Sequence, residues 1–492
     1  MTALLVIDVG TTGLRAALIG DDARILELDH RPFPPSTPFP GLVEFDATAM
    51  SETVLDAART VLATGGQGID AVGITNQRAS TIVWDRSTGV PVGPGLGWQD
   101  LRTVNECITA RTGLGLALAP NQSATKIPWL LDAIDTDDGA ARERDLCFGT
   151  VDSWLVWVLS AGERHVTDPT NASVTGLMRA DGSGWDEAVC DALRIPMSML
   201  PEIVDTAGAV VAEATLLEGS PPITALAGDQ QASLVGQGCV HVGMTKITFG
   251  TGGMLDVCSG QEPPARSSRS EHGTFPIVAW SLAGRHTWAR EAIMLAAGSN
   301  VDWLREDLGL FDESADSAEL AARCESSEGT MYVPALLGLG TPYWDYGARA
   351  TLVGMTRGTT AAHVTRAVLE GVAHRGADLV EAARGDLDTT IPSLRIDGGM
   401  SRNGIFVQAL ATATQLPVEV SPVVDATTLG AGYLAGLAGG AWSGLDDIAA
   451  SWNPSAVIEP GPAAAATEDR ERWREAVRRS ARWIPELTEL DF

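Results

Sequence analysis

The chain has 492 residues, 45% of them hydrophobic and 20% charged, which is long enough for two or three domains with cores of their own and fits a globular enzyme in water. Its 63 acidic against 34 basic residues leave a net charge of −29, which repels nucleic acid and anionic membrane surfaces and argues against either as a partner. Six cysteines without C-x-x-C spacing and seven histidines without ligand spacing argue against a zinc site or a disulfide framework, and suit a reducing cytoplasm.

The opening segment, Met1-Thr2-Ala3-Leu4-Leu5, lacks a basic leader, and Asp8 interrupts its apolar run, so it reads as a first strand and not a secretion signal. From Ile7 the chain continues Asp8-Val9-Gly10-Thr11-Thr12-Gly13-Leu14-Arg15: a strand end, a turn of two glycines and two threonines, and a returning strand. Such a turn offers backbone N–H groups and hydroxyls to phosphate oxygens, with Asp8 placed to hold Mg²⁺ directly or through water. An Asp-x-Gly hairpin is more often only a turn. Strands are predicted over about residues 3–9, 14–20 and 23–30, followed by a proline-rich loop from Pro32 to Gly41. Met50, Val54, Ala58, Val61 and Leu62 then recur at helical spacing, ahead of a strand from Asp70 to Thr75.

A second hairpin of the same kind follows far downstream, Lys246-Ile247-Thr248-Phe249-Gly250-Thr251-Gly252-Gly253-Met254-Leu255. Two such hairpins predict a duplicated architecture with nucleotide between the halves, divided near Gly238 to Gly243, so that residues 1–240 and 241–492 form the two domains. Val364, Val368, Val372, Leu379 and Val380 share one face of a long helix in the second half. A third glycine cluster, Asp397-Gly398-Gly399-Met400-Ser401-Arg402-Asn403, ends a strand and enters a helix over Gly404 to Ala413, which Ser401 or Asn403 would cap. Leu429 to Trp442 is too short to span a bilayer and, rich in Gly and Ala, reads as a helix packed close to a neighbour. The Ala-rich stretch from Gly461 to Asp469 reads as an exposed connection to the last helix. Only Lys126 and Lys246 are lysines, the other 32 basic residues being arginine, which reads as codon or solvent bias.

The three glycine segments resemble the sugar kinase, Hsp70 and actin superfamily. Further segments narrow the resemblance to the FGGY carbohydrate kinases, and among them to the glycerol kinases. They are Gly73-Ile74-Thr75-Asn76-Gln77-Arg78, Trp98-Gln99, Gly149-Thr150-Val151-Asp152-Ser153-Trp154-Leu155, Val166-Thr167-Asp168-Pro169-Thr170-Asn171-Ala172-Ser173, Ala227-Gly228-Asp229-Gln230-Gln231-Ala232, Gly338-Leu339-Gly340-Thr341-Pro342-Tyr343-Trp344-Asp345 and Thr428-Leu429-Gly430-Ala431-Gly432-Tyr433. The resemblance implies an α/β fold of two ribonuclease-H-like domains around a deep cleft, and ATP with Mg²⁺ as the phosphoryl source. It further implies a small polyol or sugar as acceptor, a cytoplasmic enzyme, and a homodimer or homotetramer as possible assemblies.

By the same resemblance, Asp229 is the catalytic base, although an Asp there also suits the cap of a helix beginning at Gln230. Thr11, Thr12, Gly13, Arg15 and Thr251 fall near the phosphates, and Gly298, Asp302, Gly399 and Asn403 along the rest of the nucleotide, with Asp8 organising Mg²⁺. Gly13 stands where members often carry serine, a loss of one hydroxyl and no backbone donor. Arg78, Trp98, Asp229 and Gln230 match the substrate pocket. The pocket departs from the family at Ala79 (where members have Glu), Asn121 (Tyr) and Met254 (Phe), so glycerol is expected to bind less well here. Asp100 either takes over hydroxyl recognition, re-cutting the pocket for a four- or five-carbon polyol or ketose, or pairs with Arg102. Glycerol kinase activity proper and, from another class, an actin- or Hsp70-like ATPase clamp are the alternatives.

Overall fold

Thirteen strands form one mixed sheet whose two wings repeat a single plan in the computed structural model, which describes residues 3–65, 68–135, 140–387 and 389–489. The strands are β1 (Ala3–Val9), β2 (Gly13–Gly20), β3 (Ile25–Pro32), β4 (Ala71–Asn76), β5 (Ala207–Glu213) and β6 (Pro222–Gly228) in the first half. The second half supplies β7 (Thr245–Phe249), β8 (Gly253–Gly260), β9 (Phe275–Leu282), β10 (Arg285–Met294), β11 (Leu394–Asp397), β12 (Val418–Val420) and β13 (Ala456–Ile458). They lie in the order β3-β2-β1-β4-β6-β5, then β9-β10-β8-β7-β11-β12-β13. In each half three antiparallel strands, β1-β2-β3 and β7-β8-β10, are extended by two parallel ones, β4-β6 and β11-β12. This is the ribonuclease-H-like order, twice over. The wings meet where β5 runs parallel to β9 through a single register pair, Ala207 with Leu282.

Helices cover both faces, so the inner strands are apolar nearly throughout. β1 shows the period of two: Leu5, Ile7 and Val9 pack with Met50, Val54 and Val61 of the helix Ala47–Gly65. Leu4 and Val6 pack on the other face with Leu429, Ala431 and Tyr433 of the helix Ala426–Gly439. Asp8 shares that second face, so an element from the far end of the chain reaches it.

The helix Ala426–Gly439 also crosses the helix Asp229–Gly236 with backbones in contact. A Cβ on Gly430 would lie 1.8 Å from the carbonyl oxygen of Ala232, and one on Gly236 would lie 1.9 Å from that of Ala426. The close packing expected of the Gly/Ala-rich stretch is therefore present, and its neighbour is the helix that begins at Asp229. Nothing among the described residues is a helix long and apolar enough to cross a membrane.

Two local expectations are corrected. The Ala-rich stretch is not a connection: helix Ala463–Ser480 begins inside it, because alanine is the strongest helix former and Pro462 ends the preceding extended segment. Asp229 is not a cap either. Gly228 occupies the cap position, and Asp229 is the first helical residue. Of the two candidates for the helix Gly404–Thr414, Asn403 is the cap, accepting from the N–H groups of Ile405 at 3.1 Å and Phe406 at 3.2 Å.

Candidate active site

The first hairpin closes through Gly10 N–H donating to Gly13 O at 2.9 Å, which turns Thr11 and Thr12 outward. Position 13 faces the ring of His30 on β3: a Cβ there would sit 2.8 Å from His30 Nε2. A serine would press on the imidazole, so the glycine fits this chain's own neighbour. Asp8, at the end of β1, is buried, and its Oδ2 accepts from Arg15 Nη1 at 3.0 Å and Thr428 Oγ1 at 2.9 Å. Burial pushes its pKa up, against the pull of Arg15.

The second hairpin carries the start of another element. Thr251 O accepts from Ala297 N–H at 2.8 Å and Gly250 O from Gly298 N–H at 2.9 Å, fastening Gly298 and the helix Ser299–Glu306 to the turn. Gly398 lies against the same strand end, with φ at +87° and no room for a side chain: a Cβ would meet the Phe249 carbonyl oxygen at 2.3 Å. Gly399 beside it has nothing within 4 Å of its own Cβ position, an open face at the rim. Asn403 Nδ2 donates to Ser317 Oγ at 3.1 Å, and Ser314 Oγ donates to Asp302 Oδ1 at 3.3 Å, so Asp302 and Asn403 share one edge. Thr251, Gly298, Asp302, Gly399 and Asn403 thus form one wall, built wholly from the second half.

On the opposite side, the strand end at Asn76 and the helix start at Asp229 bring Arg78, Asp229 and Gln230 together. Arg78 Nε lies 3.5 Å from Asp229 Oδ1, and its Nη2 lies 2.6 Å from Glu291 Oε2, on β10 of the other half. Its Nη1 is buried without a hydrogen-bond partner among the described residues. Asp229 Oδ1 also accepts from Gln230 N–H at 2.8 Å, which fixes the carboxylate at the head of its helix. Burial raises the Asp229 pKa, Arg78 lowers it and Asp8 raises it, so the base candidate and the hairpin carboxylate feel each other. Trp98 stays half-exposed, its Nε1 donating to Thr11 Oγ1 at 3.1 Å, a tie between its own segment and the first hairpin.

Three pocket residues are placed differently from the rest. Asp100 is fully buried, and its oxygens accept from Val43 N–H at 2.6 Å, Arg102 Nε at 2.8 Å and Arg102 Nη2 at 2.8 Å. Burial works to raise its pKa, but those bonds outweigh it and leave the pKa below the ordinary value. Pairing with Arg102, the second of the two readings, is the geometry found; this carboxylate has no oxygen free for a substrate. Asn121 is exposed, its backbone oxygen 3.5 Å from Lys126 Nζ, and Lys126 reaches the site only indirectly, donating to Gly97 O at 2.7 Å just before Trp98. Ala79 is buried, with φ at +59°, a left-handed backbone that costs an alanine roughly 1–2 kcal/mol. Its carbonyl accepts from Ser123 Oγ at 3.2 Å.

Glu291, Lys246 and Asp256 were not expected. Lys246 Nζ lies 2.7 Å from Asp256 Oδ2, both side chains wholly buried, and donates to Gln230 Oε1 at 2.6 Å. The pairing Asp256↔Glu291 puts all three on one face of the sheet with Met254. A signal was present: a lysine and an aspartate inside strands otherwise apolar must find partners.

Comparison with known proteins follows the two halves. The N-terminal-domain model of the FGGY family of carbohydrate kinases matches residues 3–236, and the C-terminal-domain model matches residues 245–439. A glycerol kinase of Aromatoleum aromaticum is 41% identical over 502 aligned positions, covering 98% of this chain and all of that protein. A Plasmodium falciparum glycerol kinase solved with ADP superposes with a TM-score of 0.89 at 28% identity, covering 98% of each chain. A xylulose kinase of Lactobacillus acidophilus shares the fold, with a TM-score of 0.84 at 20% identity over 97% of each chain.

Proposed function

Because the chain belongs to the FGGY family of carbohydrate kinases, we propose that it transfers the γ-phosphoryl group of ATP to a hydroxyl held among Arg78, Trp98, Asp229 and Gln230. The observation that carries this is the junction at Arg78. One guanidinium touches Asp229 from its own half and Glu291 from the other, and its buried Nη1 donor has no hydrogen-bond partner among the described residues. A hydroxyl oxygen is the group that such a donor lacks.

In this reading Asp229 accepts the proton from the attacking hydroxyl. Its raised pKa makes it a better base than an exposed carboxylate, and in a loose transition state the proton leaves late, so placement counts most. Gln230, steadied by Lys246, and the Trp98 ring would fix the acceptor. Thr11, Thr12, Gly13, Arg15 and Thr251 would hold phosphates from the two hairpins, and Gly298, Asp302, Gly399 and Asn403 the adenosine side. We place the division between these sides at residues 240 and 241.

Mg²⁺ suits this cluster. Its carboxylates, Asp8, Asp229, Asp256, Glu291 and Asp397, outnumber its cations, Arg15, Arg78 and Lys246. Both hydrogen bonds to Asp8 end on Oδ2, and Mg²⁺ binds through one or two carboxylates plus phosphate oxygens. Asp8 would hold the ion, which when bound would offset charge on the transferring phosphoryl oxygens.

The acceptor we put first for testing is glycerol, the substrate in the names of the relatives. A second reading, a four- or five-carbon polyol or ketose, is favoured by Ala79, whose methyl stands where the resemblance has a carboxylate; Asp100 lends it nothing. Coupled ADP release measured over glycerol, tetritols, pentitols and pentuloses decides between them by kcat/KM. Release that proceeds equally without any polyol would instead support an ATPase clamp. Asp229→Ala is expected to abolish polyol-dependent release while ADP binding persists.

A further inference from the structure

We propose that Asp168 is a positioning residue that sets the base and the substrate arginine from one carboxylate, an inference resting on the roles proposed for Asp229 and Arg78. Asp168 is fully buried. Its Oδ1 accepts from Thr170 Oγ1 at 2.8 Å, Asn171 N–H at 3.1 Å and Asn171 Nδ2 at 3.0 Å. Its Oδ2 accepts from Thr170 N–H at 3.1 Å and Thr206 Oγ1 at 2.7 Å. The two backbone donors are the ordinary cap of the helix Pro169–Ala172; the three side-chain donors, Thr170 Oγ1, Asn171 Nδ2 and Thr206 Oγ1, are each committed elsewhere and lead to different parts of the machinery.

The first arm runs to the base. With its proton given to Asp168, Thr170 Oγ1 accepts from Gly228 N–H at 2.8 Å, the cap residue directly ahead of Asp229. The second arm runs to the substrate side. Asn171 and Asn76 exchange amide hydrogen bonds at 3.0 and 3.3 Å, and Asn76 Nδ2 also donates to Gln77 O at 2.9 Å, next to Arg78. The third reaches the seam between the wings: Thr206 Oγ1 accepts from Ser281 N–H at 2.9 Å, on β9. Gln231 reinforces the seam, its Nε2 donating to Val278 O at 3.2 Å.

A neutral side chain cannot replace this hub. An ionised carboxylate is acceptor-only, and all five bonds point into it; an asparagine would turn two N–H donors toward the same groups. Charge-assisted bonds of this kind orient their donors, and a shift of about 1 Å in a catalytic group costs on the order of 10²-fold in rate. The seam arm adds that Asp229, Arg78 and the junction of the two wings are referenced to one carboxylate.

The test separates the arms. Thr170→Val, of equal shape without the hydroxyl, is expected to lower kcat about 10- to 100-fold with little change in either KM. Thr170→Ser is expected to restore it. Asn76→Ala is expected to raise the KM of the best polyol about tenfold and leave the ATP KM alone. Asp168→Asn is expected to show both defects; should it fail to fold, the arm variants still decide. A Thr170→Val enzyme as fast as the parent, or a Thr170→Ser enzyme as slow as the valine variant, overturns the proposal while Asp229→Asn is inactive. An active Asp229→Asn enzyme overturns the base assignment and this proposal with it.

Discussion

Thr428 donates its hydroxyl to Asp8 at 2.9 Å across 420 positions of sequence, joining the helix Ala426–Gly439 of the second half to the first strand of the first. Arg15 shares the same oxygen and lies 3.5 Å from Asp425, one turn before Thr428. The hairpin carboxylate is therefore held by both halves at once, so its geometry depends on how the halves sit.

Thr428→Val should cost about 1 kcal/mol of stability, the usual worth of a buried hydrogen bond. The sharper outcome concerns nucleotide. Thermal melts with and without Mg·ADP should show a smaller ligand-induced rise in Tm than in the parent, since Asp8 then rests on Arg15 alone.

The pH profile should carry two opposite shifts. In the proposed role Asp229 must be ionised, so kcat/KM should fall as pH drops through its raised pKa, on an acid limb above the ordinary value of 3.8. Arg78→Gln removes the cation that lowers this pKa and moves the limb to higher pH. Glu291→Gln frees Arg78 from its competing carboxylate and moves the limb to lower pH. Profiles that shift in the same direction would contradict the shared guanidinium.

The same raised pKa has a consequence for stability. Between 3.8 and the folded value the folded protein binds more protons than the unfolded chain, so stability declines as pH rises through that window. Above that window the fold carries this cost in full. Asp229→Asn should therefore melt higher than the parent at neutral pH while losing turnover, a stability–activity trade seen at many strained sites.

Backbone contact between two helices makes a steric prediction. Gly430→Ala drives a methyl into the Ala232 carbonyl and should cost about 3 kcal/mol or more in denaturant titration. Gly439→Ala, in the same helix with nothing within 4 Å, should be neutral or stabilising by up to about 1 kcal/mol.

Both lysines are completely buried, each with carbonyl or side-chain acceptors, and burial brings Lys126 down to about 7. An amine-reactive ester applied to the folded protein should therefore modify only the α-amino group, and both lysines after denaturation, as read by intact mass. Rapid labelling of either lysine in the native protein would mean that the core opens.

Much of this protein is local. Ile7 to Arg15 and Lys246 to Leu255 declare two hairpins through β-branched runs and paired glycines, and both form with ends shifted by at most a few residues. β1 reads as a short apolar run ending in a carboxylate, and Asn403 is one of two cap candidates, with Ser401. The pocket was harder to read, because a carboxylate in a motif does not say where its oxygens go. Asp100 follows Trp98 in sequence, yet Arg102 and Val43 consume it, and the acid that joins Asp229 at Arg78 is Glu291, from the other half of the chain.

The chain alone determined the duplicated α/β plan, the two glycine-rich hairpins and the family, since strand patterning, turn chemistry and motif order are encoded within a few residues of one another. Tertiary structure alone decided which polar groups meet: Thr428 with Asp8, Glu291 with Arg78, Lys246 with Gln230. Those pairs are set by the crossing of two helices and the seam of two sheets. Charges far apart in sequence reach each other only once packing removes the water between them.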